Sequence, residues 1–363
     1  MSRGSSCTTA VARRSRILFA SFGFSIAAAV TLAIVLMFTG ATAEASTCAL
    51  SNTSAPVNWS NPAKWTSCAG TYPNNGDTAQ IGLTGGYTLV VDVPVNVVLQ
   101  VQTSSFTALD VSNTLQLEAS STSVSGANLT INSGGKLTTA PSAVITNVLA
   151  NITVNNGGTL EVQSGGQFSI GSFTTFIFAG GQLKGPGTLN NPVSTPIVFT
   201  GASGPMSMTG ALIFNNSGIV NLVSSTNPLS IDSGTQFNNQ SGATFNITTS
   251  VPIATDGFGA RAINNDNSIV ATAGTNPTIN VPVNNNGTIT LGATGGTQTL
   301  TLAGGGTHTG VFNLTGPPIG IVAFNGPHNF NSGWSWNTGA NNSVFKLHGG
   351  TSTFNAGFAT PFF

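Results

Sequence analysis

Few residues in this 363-residue sequence have the type and spacing to carry chemistry. In Asp256-Gly257-Phe258-Gly259-Ala260-Arg261, Asp256 and Arg261 stand with Asp266 as the one group of acids and base near enough in sequence to share protons or hold a hard cation. A loop salt bridge accounts for the same three residues, and no Asp-Asp or Asp-x-x-Asp pair follows residue 45. His308, His328 and His348 are spaced by 20 and 20, which would stack three imidazoles into a metal-holding column in a chain repeating at that length. Their surroundings differ: His308 follows Gly304-Gly305-Gly306, His328 follows Gly326-Pro327, and His348 precedes Gly349-Gly350. The three therefore do not share a phase, a structural placement is expected, and no metal site is assigned. Trp334-Ser335-Trp336 sets two indoles on one side of a strand, either as a platform for a sugar ring or as packing. No residue is given a catalytic role, and nothing calls for a cofactor.

The elements that must position these residues begin with an export signal. Arg3, Arg13, Arg14 and Arg16 precede an uncharged apolar run over residues 17–38, and Ala41-Thr42-Ala43 or Ala43-Glu44-Ala45 supplies a small-residue cleavage site, so residues 1–45 read as a signal peptide. The run is long enough to span a bilayer, which makes an uncleaved anchor through residues 17–38 the alternative and the one expected membrane contact. Either topology places the rest of the chain outside the cell, secreted or on its surface. Cys7 falls within the signal, leaving Cys48 and Cys68, 20 residues apart, as the pair an exported chain would oxidise to a disulfide.

Charge is scarce. Only 5% of the residues are charged against about a quarter in an ordinary domain. After Ala45 five cations (Lys64, Lys136, Lys184, Arg261, Lys346) face eight anions, a net −3, and no two cations adjoin, which argues against nucleic acid as a partner. Solubility must then come from amides and hydroxyls. The 45 glycines and 17 prolines fall short of a disordered low-complexity chain, and the apolar residues alternate instead of scattering.

That alternation shows the architecture. Over residues 151–170 the pairs Ile152/Val154, Leu160/Val162 and Phe168/Ile170 are separated by Asn-Asn-Gly-Gly and Gln-Ser-Gly-Gly, which predicts strand, turn, strand, turn, strand. Asn-rich turns begin at Asn132, Asn155, Asn215, Asn238, Asn264 and Asn284, at intervals of 23, 60, 23, 26 and 20. Such a period lacks the scaffold of leucine-rich repeats, the length of propeller blades and the periodicity of helical repeats, leaving a right-handed parallel β-helix of about 12 coils over residues 81–363. Asn suits the corners because it tolerates left-handed backbone and because stacked amides can bond along the axis. Val154, Leu160 and Phe168 should be buried, Thr153 and Glu161 exposed, and Phe173, Phe176, Phe178, Phe199 and Phe214 should form an internal ladder. Residues 46–80, with Trp59, Trp65, Tyr72 and both cysteines, read as a cap over the first coil.

The order Trp59, Asn61-Pro62, Trp65, Pro73, Gly76-Asp77, Ile81 and Tyr87-Thr88-Leu89-Val90-Val91-Asp92 resembles the opening of bacterial exported β-helix proteins of the pectate-lyase-like and filamentous-haemagglutinin or adhesin type. It also resembles, more weakly, the extracellular domain named for its eight glycines. Phe330-Asn331-Ser332-Gly333-Trp334, echoed by Phe354-Asn355-Ala356-Gly357-Phe358, is similar to the haemagglutinin-like repeats. The chain reaches Phe363 within a coil and without a polar cap, as a truncated frame would. The lyases of that resemblance imply clustered carboxylates for Ca²⁺ with an Arg or Lys base, and its pectin hydrolases imply paired aspartates; only Asp256, Arg261 and Asp266 approach either. The expected function is a cell-surface or secreted adhesin-like stalk without catalysis, with extracellular polysaccharide or a host or cell surface as partner and Trp334 and Trp336 as candidate sugar contacts. The alternative is a polysaccharide-binding or polysaccharide-processing β-helix.

Overall fold

The computed structural model describes residues 45–355 apart from 52, 54–56, 69, 83–85, 102–107, 120, 122–127, 149–150, 172–174, 193–195, 233, 273, 293–295, 315–318 and 339–342. The expected export signal, its 17–38 run, Cys7 and Phe173 lie outside these residues. Among the described residues no helix is long and apolar enough to cross a membrane.

Four-residue strands with period-two alternation build the molecule. In Asn151–Val154, Ile152 and Val154 point in and are buried while Asn151 and Thr153 point out. One exposed edge would remain on any such strand, so each pairs in parallel with its counterparts one coil before and one coil after. Ile152, for instance, stands between Leu129 and Phe176. The result is an all-β parallel solenoid of the right-handed type with coils of about 23 residues. Among the described residues three sheets of 15, 13 and 10 strands form its sides. The only described helix is the single turn Pro62–Lys64, whose N-cap Asn61 accepts a hydrogen bond from Ala63 N.

About ten turns are present, fewer than the 12 coils expected. Ten is the number of strands on the third side, which begins only at Val144–Val148; the chain that joins the other two sides in earlier coils includes residues 102–107 and 122–127, outside the described residues.

Val154, Leu160 and Phe168 are buried as expected. Thr153 and Glu161 do face outward, yet both are half-buried, because coils above and below shield an outward side chain nearly as well as they pair its backbone. Lys136 and Lys184, one coil to either side, close over Glu161 as ion pairs. Inside, Phe178, Phe199, Phe214 and Phe237 follow one another at centroid distances of 5.4, 6.2 and 5.0 Å, tilted or edge-on to one another. Each of these buried rings contributes roughly 1.5–3 kcal/mol.

The N-terminal edge is turned back on itself. Trp65–Thr66 lies antiparallel to Thr47–Leu50, which in turn pairs in parallel with Asp77–Ile81, so the outermost strand of the fifteen-stranded sheet is two residues long. Trp59 and Trp65 pack at 4.9 Å; the indole of Trp59 donates to Pro73 O and that of Trp65 to Trp59 O. Cys48 and Cys68 form the expected disulfide, with Cα atoms 5.1 Å apart.

Candidate functional site

The Asn-rich stretches turn out to be two different structures. Asn132 and Asn155 follow strands of the thirteen-stranded sheet and are bonded to each other one coil apart, with Gly134 and Gly157 beside them in left-handed backbone. Asn190, Asn215, Asn238, Asn264 and Asn284 belong to the other family, each a residue before the end of its strand in the ten-stranded sheet. That is why the interval of 60 is not a whole number of coils. The left-handed backbone expected of these Asn residues is not what they adopt. Among the described non-glycine residues it occurs at Ser67, Asn75, Ser142 and Ala211, and the corners are turned mainly by glycine.

The second family builds two amide ladders on opposite faces of the same strands. Asn191, Asn216, Asn239, Asn265 and Asn285 point inward and are essentially inaccessible. Each Nδ2 donates to the Oδ1 of the next, at 2.7, 2.8, 2.8 and 2.7 Å, toward the C-terminus. The second amide hydrogen of Asn216, Asn239 and Asn265 goes to the carbonyl of Thr244, Ser268 and Thr288, the first residue of a strand in the thirteen-stranded sheet. A buried amide is tolerated only when its hydrogen bonds are supplied, and here the coil stack supplies them from Asn216 on, while Asn191 at the first rung keeps a buried Oδ1 without a partner. On the outer face Asn215, Asn238, Asn264 and Asn284 donate back toward Asn190, at 3.1, 3.0, 2.8 and 2.9 Å. The two ladders thus run in opposite directions along the axis, and their amide dipoles oppose.

Asp256, Arg261 and Asp266 are given separate tasks. Arg261 Nη1 donates to the carbonyls of Phe258 and Gly259 at 2.8 and 2.9 Å, closing its own loop. Asp256 Oδ1 accepts from Phe258 N at 2.9 Å, and Asp266 Oδ1 accepts from Asn286 Nδ2 at 3.0 Å on the next coil. No group of three or more His, Cys, Asp or Glu that could hold a metal gathers among the described residues.

Two of the three histidines meet. His308 and His328 are buried and stacked, ring centroids 5.2 Å apart, with His308 Nε2 2.9 Å from His328 Nδ1. His328 Nε2 faces the carbonyls of Leu302 and Asn325 at 3.1 and 3.2 Å. Carbonyls only accept, so that nitrogen carries the hydrogen, His328 Nδ1 accepts from His308, and His308 Nδ1 is left bare and buried without a partner. Burial, and secondarily the nearby His328, push the His308 pKa down to about 3. Burial lowers that of His328 as well, opposed by the two carbonyls. His348 is out of phase, as its flanks predict: it faces outward with Lys346 beside Thr299, Thr301 and Asn325.

Trp334 and Trp336 are half-buried at the end of the stack. Trp334 packs on Phe330, Phe345 and Phe354, and Trp336 on Phe312 and Phe345, which are packing contacts. Among the described residues the aromatic ring that does stand in solvent is Phe258, 76% exposed, which the sequence pattern did not single out. Its flanking glycines were the available signal.

No family model, no curated protein and no solved structure matches the chain, so its architecture rests on the coil-to-coil pairing itself.

Proposed function

We propose that the chain is an exported structural solenoid, a secreted or cell-surface adhesin-like stalk that performs no catalysis. The observation that supports this most is the pair of opposed amide ladders. They extend over five consecutive coils as a hydrogen-bonded reinforcement of the axis, the property a stalk needs. With a rise of about 4.8 Å per coil, ten turns span roughly 50 Å. The dispersal of Asp256, Arg261 and Asp266 into separate hydrogen bonds supports the absence of catalysis, and architecture alone confers no activity. The Cys48–Cys68 bridge and the composition of residues 1–45 support export.

Purified full chain incubated with pectate, alginate and related acidic polysaccharides, with and without Ca²⁺, should release no product. Turnover that is lost in Arg261→Ala would overturn the non-catalytic reading. Recovery of the chain in the cytosolic fraction of the native cell, with both thiols free, would overturn export. The second reading, a polysaccharide-binding solenoid, draws its support from Phe258.

A further inference from the structure

We propose that the outer face of the ten-stranded sheet, with the Phe258 loop at its edge, is a binding surface for an extended, uncharged β-linked glycan chain. Three observations carry this beyond the stalk reading, and none depends on export.

The first is charge. Among the described residues, none of the ten strands of this sheet contains Asp, Glu, Lys or Arg. The fifteen-stranded sheet, by contrast, carries Lys136, Glu161, Lys184 and Lys346. Strands without charge suit a ligand without charge, and the charges at their border, Asp256, Arg261 and Asp266, are held in hydrogen bonds within the protein.

The second is unused hydrogen-bonding capacity. A side-chain amide has two donor hydrogens and two acceptor positions, and the ladder uses one of each at Asn215, Asn238 and Asn284. These residues are half-exposed, so the remainder faces solvent on three of the four coils from Asn215 to Asn284, coils about 4.8 Å apart, while Asn264 between them spends both amide hydrogens on Gln236 and Asn238. Ser169, Thr307 and Asn329 continue the column. A receptor that repeats along one axis is best matched by a ligand that repeats too, and a linear glycan offers hydroxyl donors and acceptors ring after ring. A protein partner would instead be met by a broad apolar centre, whereas among the described residues the strands of this face expose only two large apolar side chains, Val144 and Ile213, three coils apart.

The third is Phe258. Every other described Phe is buried or half-buried, whereas this one is held out by its loop. Asp256 N donates to Asp232 Oδ1 on the preceding coil, Phe258 N donates to Asp256, and Arg261 ties the carbonyls of Phe258 and Gly259. The loop joins Ile253–Ala254 of the fifteen-stranded sheet to Ala262–Asn265 of the ten-stranded one, so it sits at the corner where the amide face begins. An aromatic face at the border of a hydroxyl-binding sheet is the arrangement that stacks on the C–H side of a pyranose while its hydroxyls reach the amides.

The test is calorimetric binding of the full chain to cellohexaose and xylohexaose, with hexagalacturonate as the charged control. Binding to a neutral hexamer should be unaffected by 0.5 M NaCl, and Phe258→Ala should weaken it about tenfold, the equivalent of one lost stacking contact, with an unchanged melting temperature. Phe258→Trp should restore it. Thr188→Arg, on the same face three coils away, should also weaken binding by blocking the sheet. Failure to bind either neutral hexamer, full affinity in Phe258→Ala, or salt-sensitive binding of hexagalacturonate alone would overturn the proposal. Loss in Phe258→Ala with no effect of Thr188→Arg would overturn the role of the sheet face. Reducing ends released from a bound neutral hexamer would leave this surface standing and overturn the non-catalytic reading.

Discussion

His308 takes, in register, the rung after Asn285 in the buried amide column, and its Nε2 meets Nδ1 of His328 at 2.9 Å in the core. Around the pair stand the rings of Phe312, Phe324 and Phe330 and the carbonyls of Leu302 and Asn325. A second proton has no acceptor there and must be desolvated.

Acid should therefore weaken the C-terminal coils. Folded His308 takes its proton only near pH 3, whereas the unfolded chain takes it near 6.5, so the unfolded state is the first to gain protons as pH falls. The contribution of the neutral pair is complete above about pH 6.5 and declines toward pH 3, by about 1.4 kcal/mol per pH unit for His308. Urea unfolding at pH 7.5 and 4.5 measures it, against His308→Asn, which substitutes another amide rung. The variant should lose about 2–3 kcal/mol less than the parent between the two pH values. An identical loss in both would show that other groups govern the acid limb.

The two amide ladders should differ sharply in what they contribute. Asn239→Ala removes the acceptor of Asn216 and the ladder donor of Asn265 Oδ1, both buried. At about 1–3 kcal/mol for each orphaned group, the cost should be at least about 2 kcal/mol. Asn238→Ala, one residue away on the outer face, breaks the same two ladder bonds where water can replace them, and should cost under about 1 kcal/mol. Equal costs by chemical denaturation would mean that the inner column stabilises the coils no more than the outer one.

Much of this was legible in the chain because a period of two decides which side of a strand is buried: Ile152, Val154, Leu160 and Phe168 needed no knowledge of the neighbouring coil. The inner amides were not legible, because an inward Asn is stable only when the coil beside it supplies its partners, and one coil's sequence does not contain that register. Asn190-Asn191 was missed for a related reason, since Pro192 follows where the other copies continue with Ser, Gln, Asp or Asn. Turn chemistry also repeats at more than one corner, so Asn155 and Asn215 looked like one family although they terminate strands of different sheets. The histidine spacing of 20 was visible, but its consequence was not: His308 pairs with Phe330 in register, and reaches His328 diagonally beside a glycine, Gly306, that leaves the room. Phe258 stood outside every periodic pattern, which is the reason it reads as a binding residue.

Reduction of the Cys48–Cys68 bridge should unfasten the N-terminal edge before the rest. The closed loop spans 20 residues, for which the chain-entropy picture gives about 3 kcal/mol. Cys48→Ser with Cys68→Ser should lower stability by about that amount, and hydrogen exchange should rise first in Thr47–Leu50 and Asp77–Ile81, the strands beside the bridge. Exchange that rises uniformly along the solenoid would show that the edge and the coils unfold as one unit.

Two glycines separate steric need from conformational need. Gly242 turns a corner at φ +86° with open space where a Cβ would stand, so Gly242→Ala should cost only the left-handed backbone penalty, about 1–2 kcal/mol. Gly306 has φ +137°, and a Cβ there would lie 2.0 Å from Val283 O and 2.6 Å from Val283 C, backbone atoms fixed by their own ladder. It occupies the inward column between Val283 and His328, where any side chain would compete with the imidazoles for the same volume. Gly306→Ala should therefore cost more than about 3 kcal/mol, since neither neighbour can retreat without breaking strand pairing. The damage should be local, loosening His308 and His328 so that their imidazole resonances titrate closer to pH 6.5 by NMR. A Gly306→Ala chain as stable as Gly242→Ala, with His308 still neutral at pH 5, would show that the packing around the pair is looser than the contacts state.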